Sequence, residues 1–212
     1  MNQAASSLPL PPLAWLVDLD GTLYRAAPMK RRMAMELALF GLHRARLLSQ
    51  FRHAHEELRA LQTKDPCASF APSPYQEQLK RAATRTGKTV SEVSEVVSEW
   101  MIERPGRWLY KHRREDLVEE IRAFRQQGGL TALVSDYPAA SKLKALGVTD
   151  LFDQVVANGE TKELTRLKPS PDGYLLAAQR LGCQPPQCLV IGDRDDADGA
   201  AARAAGMQLR LI

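Results

Sequence analysis

Long apolar runs are missing from this sequence: nowhere do its 212 residues approach the roughly 20 consecutive apolar side chains that a membrane-spanning helix needs. Cysteine is scarce as well. The three present, Cys67, Cys183 and Cys188, are odd in number and imply no disulfide framework, and Cys183 and Cys188 lack the second ligand pair that a zinc site requires. The opening stretch, MNQAASSLPLPPL, has no basic residue ahead of its apolar part and carries three prolines. Residues 1–12 therefore read as a loose tail and not as a secretion signal, which places the chain in the cytoplasm. Internal repeats and low-complexity tracts are absent too. The net charge of +4 is mild, and its Lys and Arg are spread along helical segments instead of forming the single basic run expected of a nucleic-acid binder.

What remains is ordinary globular composition, 44% apolar and 25% charged, at a length that buries one good core and at most a small second one. Short apolar runs ending in acidic residues recur: AWLVDLD over 14–20, LTALVSD over 130–136 and CLVIGD over 188–193. Shorter versions lie at 153–157 and 208–212. Runs of this length, rich in Val, Leu and Ile, fit buried parallel strands. Helical signals separate the last four of these runs. Leu117, Ile121 and Phe124 keep helical spacing until Gly128 and Gly129. Ser170 and Pro171 read as a cap followed by a first-turn proline, with a stop at Gly182. Residues 197–205 are alanine-rich and end at Gly206. Such alternation predicts an α/β fold, a doubly wound, Rossmann-like parallel sheet whose site lies at the carboxyl ends of the strands. All three acidic clusters end strands, so this fold brings them together.

Residues 28–114 differ, showing no strand pattern. Leu37, Phe40, Leu47, Phe51, Leu58 and Leu61 follow three-and-four spacing, with Gly41 as a kink or break. Residues 64–74 read as a loop, after which Ser73 and Pro74 open a helix that Gly87 closes. Thr89 and Glu92 form a capping box, and Val90, Val93, Val97 and Trp100 give a stripe ended by Pro105. The expected division is a core over 13–27 and 115–212 with an all-helical cap inserted over 28–114.

The chemistry concentrates where the strands end. After the first strand, Asp18 and Asp20 are followed by Gly21 and Thr22, and a turn at Gly21 can bring both carboxylates to one place. Transfer of a phosphoryl group to a carboxylate needs one ionised aspartate as nucleophile and a second group that carries a proton, and two nearby carboxylates can be pushed into those separate roles. A pair of turn-forming aspartates is the bland alternative.

The run Asp18-Leu-Asp-Gly-Thr22 resembles the first motif of the haloacid dehalogenase-like hydrolases. The likeness continues in order through Ser135 and Asp136 at a strand end, Lys168 before the Pro169-Ser170-Pro171 helix start, and Gly192 with Asp193 followed by Asp198. This resemblance implies Asp18 as nucleophile, Asp20 as general acid/base and Lys168 as the cation on the transferring phosphoryl group. It implies Thr22, Ser135 and the backbone near Asp136 as phosphate-binding groups. It also implies Mg2+, held by Asp18, Asp193, the backbone carbonyl of Asp20, and Asp198 as the second acid of the fourth motif. Oxygen-only ligands suit that ion. Asp195 and Asp196 compete for the last place as helix-start residues. Lys162 is the rival of Lys168 but lacks the following helix start.

The expected activity is Mg2+-dependent hydrolysis of a small phosphorylated metabolite through an aspartyl-phosphate. A phosphomutase shares the same residues, and a phospho-accepting regulatory module is the alternative from another class. A dehalogenase has no need of Asp20. The four histidines, His43, His53, His55 and His112, lie in or beside the insertion, and His53 and His55 do not share a helix face as a metal pair would. Arg104, Arg107, Lys111, Arg113 and Arg114 form a basic stretch on the return from the insertion, either solvated connector or a contact for the leaving group. Oligomeric state is not legible.

Overall fold

The computed structural model describes residues 11–212; of the tail expected over 1–12, residues 1–10 lie outside the described part. Strand β1 (Ala14–Val17) leads directly into the helical insertion: α1 (Ala26–Phe40), α2 (Ala45–Lys64), α3 (Pro74–Thr86), α4 (Val90–Ser98) and α5 (Arg104–Leu109). The chain then alternates through α6 (Glu115–Gln126), β2 (Leu130–Ser135), α7 (Ala140–Leu146), β3 (Gln154–Ala157), α8 (Asp172–Leu181), β4 (Cys188–Gly192), α9 (Ala200–Ala205) and β5 (Gln208–Leu211). The five strands form one sheet in the order β3-β2-β1-β4-β5. Every pairing is parallel. The α/β, doubly wound arrangement expected from the sequence is present.

The sheet is buried on both faces, as parallel sheets require. Val17, Leu133 and Ile191 pack with α6 and α7 residues on one side, while Leu16, Val134 and Val190 pack with Tyr174, Ala177 and Ala201 on the other. Strand order reverses at β1, which lies between β2 and β4. Val17 is in register with both Leu133 and Ile191. Asp18, Ser135 and Asp193 follow those three positions by one or two residues, so register alone delivers them to the same edge. This is the switch point at which open α/β sheets bind ligands.

The insertion has its own core of Leu47, Phe51, Leu79, Val93, Val97 and Trp100. The capping box of Thr89 and Glu92 forms, and Ser73 caps α3, which Gly87 ends in the left-handed conformation. Its two connections to the sheet pair with each other: Tyr24 and Arg113 form an antiparallel bridge. Arg25 N donates to His112 O at 2.9 Å, and Arg114 N to Leu23 O at 2.9 Å.

Several local expectations need correction. Phe40 and Leu61, placed on the apolar stripe, are 67% and 42% exposed, because α1 and α2 turn those positions away from the insertion's core. Pro105 does not end the Val90–Trp100 helix. A wide turn over Glu99–Glu103, closed by Arg104 N on Glu99 O, carries the helical path into α5, and Pro105 sits in its first turn, where no N–H is required. Pro171, not Ser170, occupies the N-cap position of α8, although Ser170 Oγ accepts from Asp172 N at 3.3 Å. The Ser170 N–H closes a turn on Leu167 O at 2.9 Å, and the helix starts at Asp172. The alanine-rich helix begins with another wide turn, Asp195–Gly199, in which Arg194 O accepts from Ala197, Asp198 and Gly199.

Candidate active site

Two aspartates leave β1 on opposite errands. Asp18, 8% exposed, points into the edge of the sheet. Its Oδ2 accepts from Thr22 Oγ1 at 2.8 Å and its Oδ1 from Lys168 Nζ at 2.5 Å. Asp20 is more open, with Lys142 Nζ 2.7 Å from each of its carboxylate oxygens and Tyr24 Oη donating to Oδ1 at 2.6 Å. The turn that follows them depends on Gly21, which has φ +103°, and a Cβ there would lie 2.1 Å from Asp193 Oδ2. A side chain at that position is excluded by backbone conformation and by the neighbouring acid together.

Lys168 is buried and fully engaged. Besides Asp18, its ammonium reaches Asp198 Oδ1 at 2.8 Å and Val134 O at 3.1 Å. Asp198 is anchored further by Tyr174 Oη, which donates at 2.8 Å, and by Arg194 N at 3.2 Å. The wide turn that starts the last helical segment carries Asp198 inward. Asp195 and Asp196 instead face outward, paired with Arg203 and Arg194. Lys162, the rival lysine, is exposed. Asp136 Oδ1 accepts from Lys168 N at 3.1 Å, so it positions the loop that carries the lysine. Ser135 is buried at the end of β2, and its Oγ accepts from Tyr137 N at 3.2 Å.

Asp18, Asp193 and Asp198 each offer a carboxylate oxygen, all within 4.8 Å of one another. Crowded acids raise each other's pKa. Burial, then Asp198 and Asp20, push Asp18 up to about 7 against the pull of Lys168. Burial and Asp198 raise Asp193 as well. Burial works to lower Lys168, but Asp18, Tyr174 and Asp198 outweigh it and hold its pKa well above the usual lysine range. An all-oxygen set with surplus negative charge and no thiolate or imidazole fits a hard divalent cation. The side chain of Asp20 stands apart from this set.

The insertion reaches the site through α2, and of the basic stretch Arg114 alone touches the Asp-x-Asp turn, donating to Gly21 O at 3.4 Å. Arg59 Nε donates to Lys168 O at 3.0 Å, and its guanidinium lies 3.6 Å from Asp196 Oδ2. Gln62 Oε1 accepts from Leu167 N at 3.0 Å. The His55 ring stacks on Tyr137 with centroids 4.8 Å apart. Arg104 is committed to Glu99 and lies over the Trp100 ring, while Arg107 and Lys111 are exposed. The sequence does not mark Lys142, Tyr24, Tyr174, Arg59 or His55 as site residues. Spacing offers no signal for the first four, and the two-residue offset of His55 from His53 speaks against a metal pair without pointing to a place beside the site.

A central β1 carrying Asp-x-Asp, a lysine bridging the first of these aspartates to a later acid, and a helical insertion just after the turn define a recognisable class. The chain belongs to the haloacid dehalogenase-like hydrolase family, whose sequence profile matches residues 14–206. It is 28% identical over 212 aligned residues to a phosphoglycolate phosphatase of Shigella boydii, covering 89% of this chain and 76% of the relative. It is 49% identical over 69 residues to the fructose-1-phosphate phosphatase YqaB of Escherichia coli, covering 32% and 35% of the two chains. Among solved structures, the L-2-haloacid dehalogenase of Xanthobacter autotrophicus superposes with TM-score 0.63 at 20% identity, over 95% of this chain and 77% of the other. At that identity the likeness concerns the fold. Among the described residues, no helix is long and apolar enough to cross a membrane.

Proposed function

We propose that this protein is a Mg2+-dependent phosphatase that hydrolyses a small phosphorylated metabolite through an aspartyl-phosphate on Asp18. The observation that carries this reading is the convergence of Asp18, Asp193 and Asp198 around Lys168, with Asp20 held separately beside them. Asp18 and Asp193, with the backbone carbonyl of Asp20, would hold the ion, and Asp198 supports the set through Lys168. When bound, Mg2+ supplies positive charge that lets an anionic nucleophile approach an anionic phosphate.

In the first step an Asp18 oxygen attacks phosphorus. The ester P–O bond breaks, its electron pair leaves with the alcohol oxygen, and that oxygen takes the proton of Asp20. In the second step water attacks phosphorus and gives its proton to Asp20. The bond from phosphorus to Asp18 breaks, freeing inorganic phosphate and restoring the carboxylate. Lys168, Thr22, Ser135 and the backbone at Asp136 steady the phosphoryl oxygens. Residues 28–114 act as the cap over a core of 13–27 and 115–212, and the burial of Asp18 beneath it excludes water from the first step. Matching relatives named as phosphatases favour hydrolysis over transfer back to a sugar. A dehalogenase would leave Asp20 without a task.

The test uses purified protein, p-nitrophenyl phosphate and a panel of phosphorylated metabolites, with Mg2+ or with chelator. Activity should require Mg2+, and rapid quenching followed by mass spectrometry should find phosphate on Asp18. Full activity in excess chelator, or phosphate on another residue, would overturn the reading.

A further inference from the structure

Lys142 is a buried cation that the family motifs do not include. It stands on α7, is only 7% exposed, and has the core residues Leu143 and Leu146 as helix neighbours. An ammonium in such a place is costly unless it is paired, and an apolar side chain would suit the position better. Its contacts are few and specific. Nζ lies 2.7 Å from Oδ1 and 2.7 Å from Oδ2 of Asp20, and 5.7 Å from the centroid of the Tyr137 ring. With both oxygens bound by one ammonium and Oδ1 also accepting from Tyr24, the plane of the Asp20 carboxylate is fixed by two groups outside Asp-x-Asp. Lys168 binds Oδ1 of Asp18, whose Oδ2 is held by Thr22, so each aspartate has its own lysine.

The geometry points to Lys142 as a positioning residue for Asp20, anchoring the acid/base to the core so that its carboxylate meets the leaving oxygen and the attacking water in a set orientation. A proton carrier works only within hydrogen-bond reach, about 2.6–3.2 Å, of the proton it moves. The Asp20 side chain is 29% exposed and without the lysine would be held by Tyr24 at one oxygen, with the other open to solvent. Tyr24 belongs to the connection into the insertion, where its backbone pairs with Arg113, whereas Lys142 belongs to the core. The lysine therefore keeps Asp20 registered to β1 when the connection flexes. This inference rests on the phosphatase reading above and assigns a residue to its second carboxylate.

The experiment is a double-mutant cycle between Lys142→Met and Asp20→Asn, followed with Mg2+ and p-nitrophenyl phosphate, an ester whose leaving group needs no protonation. Lys142→Met should lower kcat about 10- to 100-fold, with KM falling alongside it and kcat/KM changed less than about 3-fold, because this ester phosphorylates Asp18 without help from Asp20. Because only the water step then depends on Asp20, the variant should show a burst of about one nitrophenolate per site before the slow phase. On the Asp20→Asn background the same substitution should add less than about 3-fold, since its target is already gone. Lys142→Arg, which keeps the charge, should recover part of the loss. Should Lys142→Met fail to fold, Lys142→Gln enters the cycle in its place. A kcat within about 3-fold of wild type, or losses that multiply with Asp20→Asn, overturns the positioning role. Wild-type protein without activity on any phosphate ester overturns the phosphatase reading itself, which is a separate outcome.

Discussion

Lys168 Nζ lies 2.5 Å from Asp18 Oδ1 and 2.8 Å from Asp198 Oδ1, so one lysine neutralises two acids contributed by opposite ends of the chain. β1 supplies one partner, the turn after β4 the other, and the loop after β3 the lysine itself. Nothing local holds this triad together. It exists because parallel register places the ends of β1, β2 and β4 side by side.

Removing the lysine should therefore harm stability and chemistry together. Lys168→Met leaves buried Asp18 and Asp198 facing each other without a cation, a loss of roughly 3–5 kcal/mol by analogy with other broken buried pairs. It also removes the charge aimed at the transferring group, so kcat/KM should fall about 100- to 1000-fold. Lys168→Arg should not rescue it, because a planar guanidinium cannot take up the three-way contact to Asp18, Asp198 and Val134 O. Urea midpoints and aryl phosphate kinetics decide the matter; an Arg variant with wild-type kinetics would show that charge alone is enough.

The crowding around Asp18 gives a second expectation. Its folded-state pKa of about 7 lies above that of an unfolded carboxylate, so the folded protein binds the extra proton more tightly. Its contribution to stability is fully present below the unfolded value and is lost as pH rises through about 7. Above that pH the ion-free protein carries the cost of an ionised, crowded Asp18. Asp18→Asn should raise Tm in chelator at pH 8, and Mg2+ should stabilise wild type there more than it stabilises the variant. Thermal melts of both proteins with and without Mg2+ provide the check. A variant that melts well below wild type in chelator would mean that the attraction of Lys168 outweighs the repulsion.

His55 works with the opposite sign in an overlapping window. Burial, helped by Arg59, lowers its pKa to about 4, so the folded protein resists protonating it while the unfolded chain accepts the proton. Its contribution is fully present above the unfolded value of 6.5 and is lost as pH falls towards 4. Complete protonation would cost about 3 kcal/mol at 1.36 kcal/mol per unit. His55→Phe keeps a ring against Tyr137 but cannot titrate. The gap between wild-type and variant unfolding free energies should narrow or reverse as pH drops from 7 to 4, and a pH-independent gap would sink the assignment.

The strands and the motif residues were legible because each is written locally. An apolar run that stops at an aspartate gives both the strand and the acid at its end, and Asp18, Ser135, Lys168 and Asp193 all stand at such stops or just before a helix. Lys142 was not legible for the converse reason. In a stretch reading Lys-Leu-Lys-Ala-Leu-Gly it looks like any solvated helix lysine, and only the packing of α7 beneath Asp20 distinguishes it from exposed neighbours. Arg59 and His55 were hidden by the same limit. The amphipathic pattern of α2 identified an apolar stripe, but which polar positions of that helix meet the sheet edge is settled by how the insertion docks. Pro105 misled because a proline normally marks a boundary, whereas a wide turn just ahead of it let the helix continue.

That docking supplies the last prediction. Two arginines of the insertion offer a direct comparison. Arg59 is 7% exposed and donates to the backbone carbonyl of Lys168, while Arg104 is partly exposed and pairs with Glu99 and, at 3.8 Å, with Glu36 within the insertion itself. Arg59→Ala leaves the Lys168 carbonyl without its guanidinium partner, a cost of about 1–3 kcal/mol for a buried group, and frees the loop that aims the lysine ammonium. Arg104→Ala removes ion pairs of the kind usually worth less than about 1 kcal/mol and touches no part of the site. Arg59→Ala should therefore lower kcat on aryl phosphate about 10-fold or more, through loss of the near-attack arrangement, and should speed proteolysis of the connections near Tyr24 and Arg113. Arg104→Ala should stay within about 2-fold of wild type in both assays. Equal losses in the two variants would mean that the insertion acts as one packed body whose contact with the Lys168 loop has no special importance, and a larger loss from Arg104→Ala would return the leaving-group contact to the basic stretch before α6.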